Sequence, residues 1–179
     1  MALKRAWTRS AALATALIAL VSTAPASAST GERPRQDGPL QCQGTESVSY
    51  RPGVTLKPRD IAITTHGRFT RCTDGTGEVT SGSYEEHFTL SAGCNDLLEG
   101  FTTRRTFTWN TGDSSVAELS GSSTAVAGQV VTTITGTVAE GRFRGRTVVQ
   151  VITLPQPGVL ECLATGFTGA TGVTTLAVT

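Results

Sequence analysis

Two charged residues, Glu86 and Arg105, fall where a two-residue strand period places apolar side chains. In the stretch 79–90, Tyr84, Phe88 and Leu90 share a face with Glu86. In the stretch 101–109, Phe101, Phe107 and Trp109 share a face with Arg105. If the two stretches form a hairpin with Leu90 opposite Phe101, then Glu86 faces Arg105, Tyr84 faces Phe107 and Gly82 faces Trp109. A charge on an apolar face is costly unless it is paired and hydrogen-bonded. The pair is therefore an internal ion pair of the scaffold, or the polar floor of a ligand pocket with Trp109 and Tyr84 as walls.

Arg142, Arg144 and Arg146 alternate with Phe143 and Gly145, which as a strand would send all three guanidinium groups to the outer face. Such a row suits bidentate contact with phosphate, sulfate or carboxylate, hence an anionic cell-surface polymer, or else it is a solvated strand face. That face has no interleaved aromatics, which argues against single-stranded nucleic acid.

The two histidines, His66 and His87, fall on polar faces. Glu85-Glu86-His87 places Glu85 beside His87, an arrangement that an acid–base pair of a small hydrolase would need. No G-x-S-x-G elbow accompanies it. Asp74, Asp96 and Asp113 sit in turns that turn chemistry alone explains. The loop 72–77, anchored by its cysteine, is the one candidate for a protease-inhibitor loop. No spacing suggests a metal site, and no motif implies a cofactor.

The elements that would position these residues are strands. Val130, Ile134 and Val138 fall on one face of 128–138, opposite Val131, Thr133, Thr135 and Thr137. After a turn at 139–141, Phe143, Val149 and Val151 resume the period of two. Earlier strands are read at 42–50, 59–69, 79–90, 101–109 and 114–126. Arg51-Pro52-Gly53 and 110–113 supply turn chemistry between them. Pro155 and Pro157 end the long hairpin. Two short strands, 159–164 and 173–178, follow, separated by a 166–172 loop. No segment holds a 3.6-residue apolar period. An all-β antiparallel meander of about eight strands is expected, with a β-barrel favoured over a two-sheet sandwich.

Residues 1–28 read as a secretory signal peptide: Lys4, Arg5 and Arg9, an apolar run at 11–24, then Ala26-Ser27-Ala28. Residues 29–40, with two prolines and two glycines, read as a flexible tether. That leaves a single β domain at 41–179. The chain carries 15 basic and 14 acidic residues; removing the signal leaves 12 against 14, about −2. So balanced a charge provides no global field for nucleic acid or an anionic membrane. After signal cleavage no run is long and apolar enough to span a membrane as a helix. Cys42, Cys72, Cys94 and Cys162 are even in number and lack zinc-site spacing, so two disulfides are expected. Of the three connectivities, Cys42–Cys72 closing the first hairpin and Cys94–Cys162 tying the middle to the end is favoured.

The segments QCQGTESVSYRPGVTL, TFTWNTGDSS, VTTITGTVAEGRFRG and ITLPQPGVLECLATGFTG resemble a group of small secreted actinobacterial all-β proteins with four cysteines. The usage of 13 arginines against 2 lysines agrees with such a source. The resemblance implies export and an all-β fold, and no activity comes with it. The expectation is an extracellular, non-enzymatic binding or structural domain. A small hydrolase using Glu85, Glu86 or His87, or a protease inhibitor, is the alternative.

Overall fold

The computed structural model describes residues 37–96 and 99–179, which belong to one compact unit. The signal reading at 1–28 and most of the tether lie outside the described residues. Alternating burial runs along nearly every strand, and the apolar phase turns each strand's inner face toward a common axis. The elements are β1 Leu40–Val54, β2 Arg59–Asp74, β3 Gly82–Ala92, β4 Phe101–Trp109, β5 Ser114–Val126, β6 Gln129–Gly141, β7 Thr147–Pro155, the short helix α1 Val159–Leu163, and β8 Phe167–Val178. Each strand pairs antiparallel with the next, and β8 returns to β1, closing an eight-stranded barrel. Closure removes the free edges that a flat meander would expose, except along β3 and β4, which share only two residue pairs.

The interior is layered. At one end Leu40, Phe69, Tyr84, Phe107, Trp109, Val138, Phe143, Val148 and Val178 form a filled core. Phe107 stacks on Trp109 with centroids 5.8 Å apart, and Phe143 meets Trp109 edge-on at 5.9 Å. Toward the other end a smaller cluster of Val48, Val54, Ile61, Ile63 and Phe167 lines only part of the wall. Both disulfides join the favoured partners, Cys42 to Cys72 across β1 and β2, and Cys94 to Cys162 across the loops of the second end.

Several local expectations are corrected. The tether does not extend to residue 40: Leu40 opens β1 fully buried, and Asp37 accepts the Phe143 N–H at 3.2 Å. β1 continues through Pro52-Gly53 to Val54, so the first turn falls at 55–58. Residues 159–163 are a helix because Pro157 ends the ladder and Glu161 Oε2 accepts the Gly158 N–H at 2.9 Å, capping the first turn. The helix buries Cys162 and leaves Val159, Leu160 and Leu163 outside. All of the 166–172 segment but Gly166 belongs to β8. Its glycines mark close approach rather than a loop: a Cβ on Gly172 would lie 1.9 Å from the Thr153 carbonyl.

The long hairpin turns at 142–146, with Gly141, Phe143 and Gly145 at positive φ. That turn reverses the expected phase of β7. Val148, Gln150 and Ile152 point inward, while Val149 and Val151 point out.

Candidate functional site

The wall of the barrel is incomplete between β3 and β4. These strands pair only at Gly82↔Trp109 and Ser83↔Thr108, the register the sequence predicts, and beyond that their backbones part. Side chains take over where the ladder stops. Arg105 Nε and Nη2 donate to Glu86 Oε2 at 3.0 and 2.5 Å, and Thr103 Oγ1 donates to Glu86 Oε1 at 2.6 Å. Glu86 and Arg105 therefore clasp two strands that share few backbone bonds. Two guanidinium N–H groups converge on one carboxylate oxygen, the other oxygen is taken by Thr103, and the pair is largely dry, so its attraction and hydrogen bonds offset desolvation.

The clasp is one end of a polar layer across the barrel. Arg105 Nη1 donates to Gln150 Oε1 at 2.7 Å. Gln150 Nε2 donates to the Tyr84 hydroxyl at 2.7 Å and to Thr174 Oγ1 at 2.9 Å. The Tyr84 hydroxyl donates to Glu46 Oε2, and the Arg105 guanidinium lies 4.1 Å from the Tyr84 ring centroid. Gln150 is 0% exposed, and it links Arg105, Tyr84 and Thr174 in one network. Burial pushes the Glu46 carboxyl above its ordinary pKa, against the hydrogen bond from Tyr84 and the charge of Arg105. Burial and the nearby Glu46 likewise raise Tyr84, and raise Tyr50 to about 12.

Above this layer the interior opens. Phe88 opposes Ile63 and Leu90 opposes Ile61 across β2 and β3, so all four point inward. The isoleucines are buried, but Phe88 is 44% and Leu90 40% exposed. On the other lip of the split, Phe101 is 39% exposed and lies over Gly121, where a Cβ would come within 2.5 Å of its ring. Tyr50, Val130, Thr132, Leu154 and Ala170 face the same space and are only half-buried. Inward-phase apolar side chains above the polar layer are thus left partly exposed beside the opening between β3 and β4.

The candidates read from sequence thus part company. Glu86, Arg105 and Tyr84 meet as expected. Trp109 does not border this opening. It sits four residues below Arg105 along β4, about 13 Å at the strand rise, with Nε1 donating to Ser115 Oγ at 2.9 Å in the filled end. The arginine row does not form either, because the turn at 141–145 breaks the strand alternation. Arg142 is buried, within 3.3 Å of carboxylates of Asp37, Asp74, Glu78 and Asp113. Arg146 donates to the Asp37 carbonyl at 2.5 Å, and Arg144 alone of the three is exposed. The three therefore do not form one exposed row of guanidinium groups.

The hydrolase grouping is divided by the barrel wall, Glu86 inside, Glu85 and His87 outside. Outside, Thr64 Oγ1 lies 3.0 Å from His87 Nδ1, and His87 Nε2 lies 2.5 Å from Glu85 Oε1, with His66 Nδ1 3.3 Å from the other Glu85 oxygen. This is an order of groups that a nucleophile relay uses, set on a Thr64 that is laddered to both Ser49 and His87. The 72–77 segment is a tight turn folded on Asp74, whose carboxylate accepts from Thr76 Oγ1 and the N–H groups of Glu78 and Val79. Among the described residues no group of His, Cys, Asp and Glu could hold a metal ion, and no helix is long and apolar enough to cross a membrane.

Sequence reasoning missed Glu46, Gln150, Thr65 and Thr174. Glu46 was open to detection, being in phase with Cys42 and Val48. Gln150 was not, because Val149 and Val151 make the opposite face of β7 equally apolar. No protein-family model matches the chain, and neither the curated proteins nor the solved structures contain a match.

Proposed function

We propose that the protein is an exported binding barrel whose open end takes one small, mainly apolar ligand. The observation that carries this reading is the split between β3 and β4, with inward-facing Phe88, Leu90 and Phe101 left exposed on its lips and side walls. Exposed apolar surface on a concave inner face is uncompensated in water and is covered favourably by an apolar guest, at roughly 25 cal/mol per Å². Eight-stranded barrels have interiors wide enough to be filled by side chains or to hold one small ligand. Here the lower half follows the first pattern and the upper half the second. Export is supported by the two disulfides and by the charged, apolar and small-residue order of residues 1–28.

Titration of the purified protein with the neutral dye N-phenyl-1-naphthylamine tests the reading. Saturable one-to-one binding is expected, weakened at least about tenfold by Phe88→Asp, which puts a charge on the wall at an already exposed position that folding tolerates. A dye that does not saturate, or binds the variant equally well, overturns it.

A further inference from the structure

In an antiparallel meander the connections alternate between the two ends of the barrel. Residues 75–81, 110–113 and 142–146 lie at the end filled by aromatics, and among the described residues they expose no large apolar side chain. The four connections at the other end behave oppositely. Leu56 stands between β1 and β2, Phe101 opens β4, Val126 closes β5, and Val159, Leu160 and Leu163 lie on α1, all exposed. The helix is the extreme case: its three apolar residues are 72%, 80% and 61% exposed, and the one it buries is Cys162. Every connection at this end carries or borders an apolar tip in water.

The tips are held in fixed relation. The Leu56 N–H donates to the Cys162 carbonyl at 3.2 Å, the Cys94 N–H to the Thr55 carbonyl at 2.9 Å, and the Gln156 N–H to the Gly128 carbonyl at 2.9 Å. Together with the Cys94–Cys162 disulfide, these bonds join all four connections to one another. Little ordering remains to be done when the end meets a partner.

We infer that this end docks on a lipid bilayer of no net charge. Apolar groups exposed together mark a partner or a membrane, and here they ring the whole end, as a flat and continuous partner requires. Residues 55–58, 93–100, 127–128 and 156–166 contain no Trp, Tyr or Arg, the side chains that anchor protein interfaces. The same residues hold one basic group, Lys57, against Asp96, Glu99 and Glu161. Asp96 and Glu161 turn their carboxylates onto the N–H groups of Gly93 and Gly158. Without a basic cluster nothing draws this end to anionic lipid, and a zwitterionic surface is its complement. The apolar outer face of α1 suits a helix lying in the plane of that surface. The chain's own beginning does not cover the tips. With the signal removed, residues 29–36 join the barrel at Asp37, at the opposite end, and eight residues reach at most about 28 Å against about 50 Å of strand along β1.

Cosedimentation of the purified protein with phosphatidylcholine vesicles tests the inference, with vesicles containing about a third phosphatidylserine as the charge comparison. The doubly substituted Leu160→Glu, Leu163→Glu protein removes the helix tips, and Val173→Glu makes the same change at an exposed position on the wall of β8. All three proteins are expected to melt alike. Wild type and Val173→Glu are expected to partition equally onto phosphatidylcholine, no less tightly than onto phosphatidylserine, and the double variant at least about tenfold more weakly. Absence of wild-type binding to phosphatidylcholine, full binding by the double variant, an equal loss in Val173→Glu, or markedly tighter binding to phosphatidylserine overturns the inference. Sedimentation equilibrium without lipid is expected to show a monomer; a dimer that the double variant dissociates would make a second copy the occupant and overturn it too. Dye titration without vesicles reads the ligand proposal separately: its failure leaves the docking result standing, and failure of docking leaves dye binding standing.

Discussion

At the residue scale the molecule turns on polar groups placed inside a β-barrel. Glu86 and Arg105 hold each other across a gap in the ladder, so removing one strands the other in a dry site. Glu86→Ala is expected to destabilise the fold by about 3–5 kcal/mol, measured by urea denaturation, and a loss under about 1 kcal/mol would mean that water already solvates Arg105. Gln150→Leu should cost about 3 kcal/mol, because Arg105, Tyr84 and Thr174 each lose a partner at once. Glu46 behaves oppositely with pH. Its carboxyl binds a proton more tightly folded than unfolded, so its contribution favours folding at low pH and is lost as pH rises through the raised folded value. Glu46→Gln, which still accepts from Tyr84, should leave the melting temperature at pH 4 nearly unchanged and raise it progressively toward pH 8. A gain that is flat or falls with pH would contradict the burial argument. The pairing of Glu86 with Arg105 was legible because both break an otherwise clean alternation; Gln150 was hidden because its strand is apolar on both faces.

At the element scale, most strands were readable from period and turn chemistry, β4 and β5 to the residue. What failed were places where backbone geometry overrides alternation. The 142–146 turn carries positive φ at Phe143 between two glycines and swings Arg142 inward, which no period of two anticipates. The glycines of β8 read as a loop because their use, close approach of neighbouring carbonyls, depends on strands distant in sequence. The separation of β3 and β4 was equally invisible, since each strand is regular and pairs well on its other side. It has a direct dynamic consequence. Alternate amides of residues 84–92 that face β4 have no ladder partner, whereas those facing β2 do. Hydrogen exchange should be markedly faster for the first set than for the second; equal protection of both sets would mean that the slit is closed in solution.

At the scale of the whole molecule, the two ends divide the work. The aromatic core, Cys42–Cys72 and the carboxylates around Arg142 fix the closed end, and at the other end Phe88, Leu90 and Phe101 stay partly exposed. The closed end should fail first in acid. Burial alone would raise the Asp74 carboxyl, but hydrogen bonds from Thr76 and the backbone of Val79, Gly77 and Glu78 hold it below the usual carboxylate range. Its contribution is complete above the unfolded value and is lost as pH falls through the folded one. Asp74→Asn should therefore lower stability at pH 7 and flatten its decline below about pH 4; a parallel shift at every pH would count against that assignment. The central claim is that the barrel end bearing Phe88, Leu90 and Phe101 takes a small apolar ligand, and amide and methyl chemical shifts during titration with N-phenyl-1-naphthylamine test it most directly. Saturable shifts confined to Ile61, Ile63, Thr65, Phe88, Leu90 and Phe101, with Trp109 and Phe143 still, are the predicted result. Shifts at the closed end, spread over the outer wall, or absent altogether would contradict it.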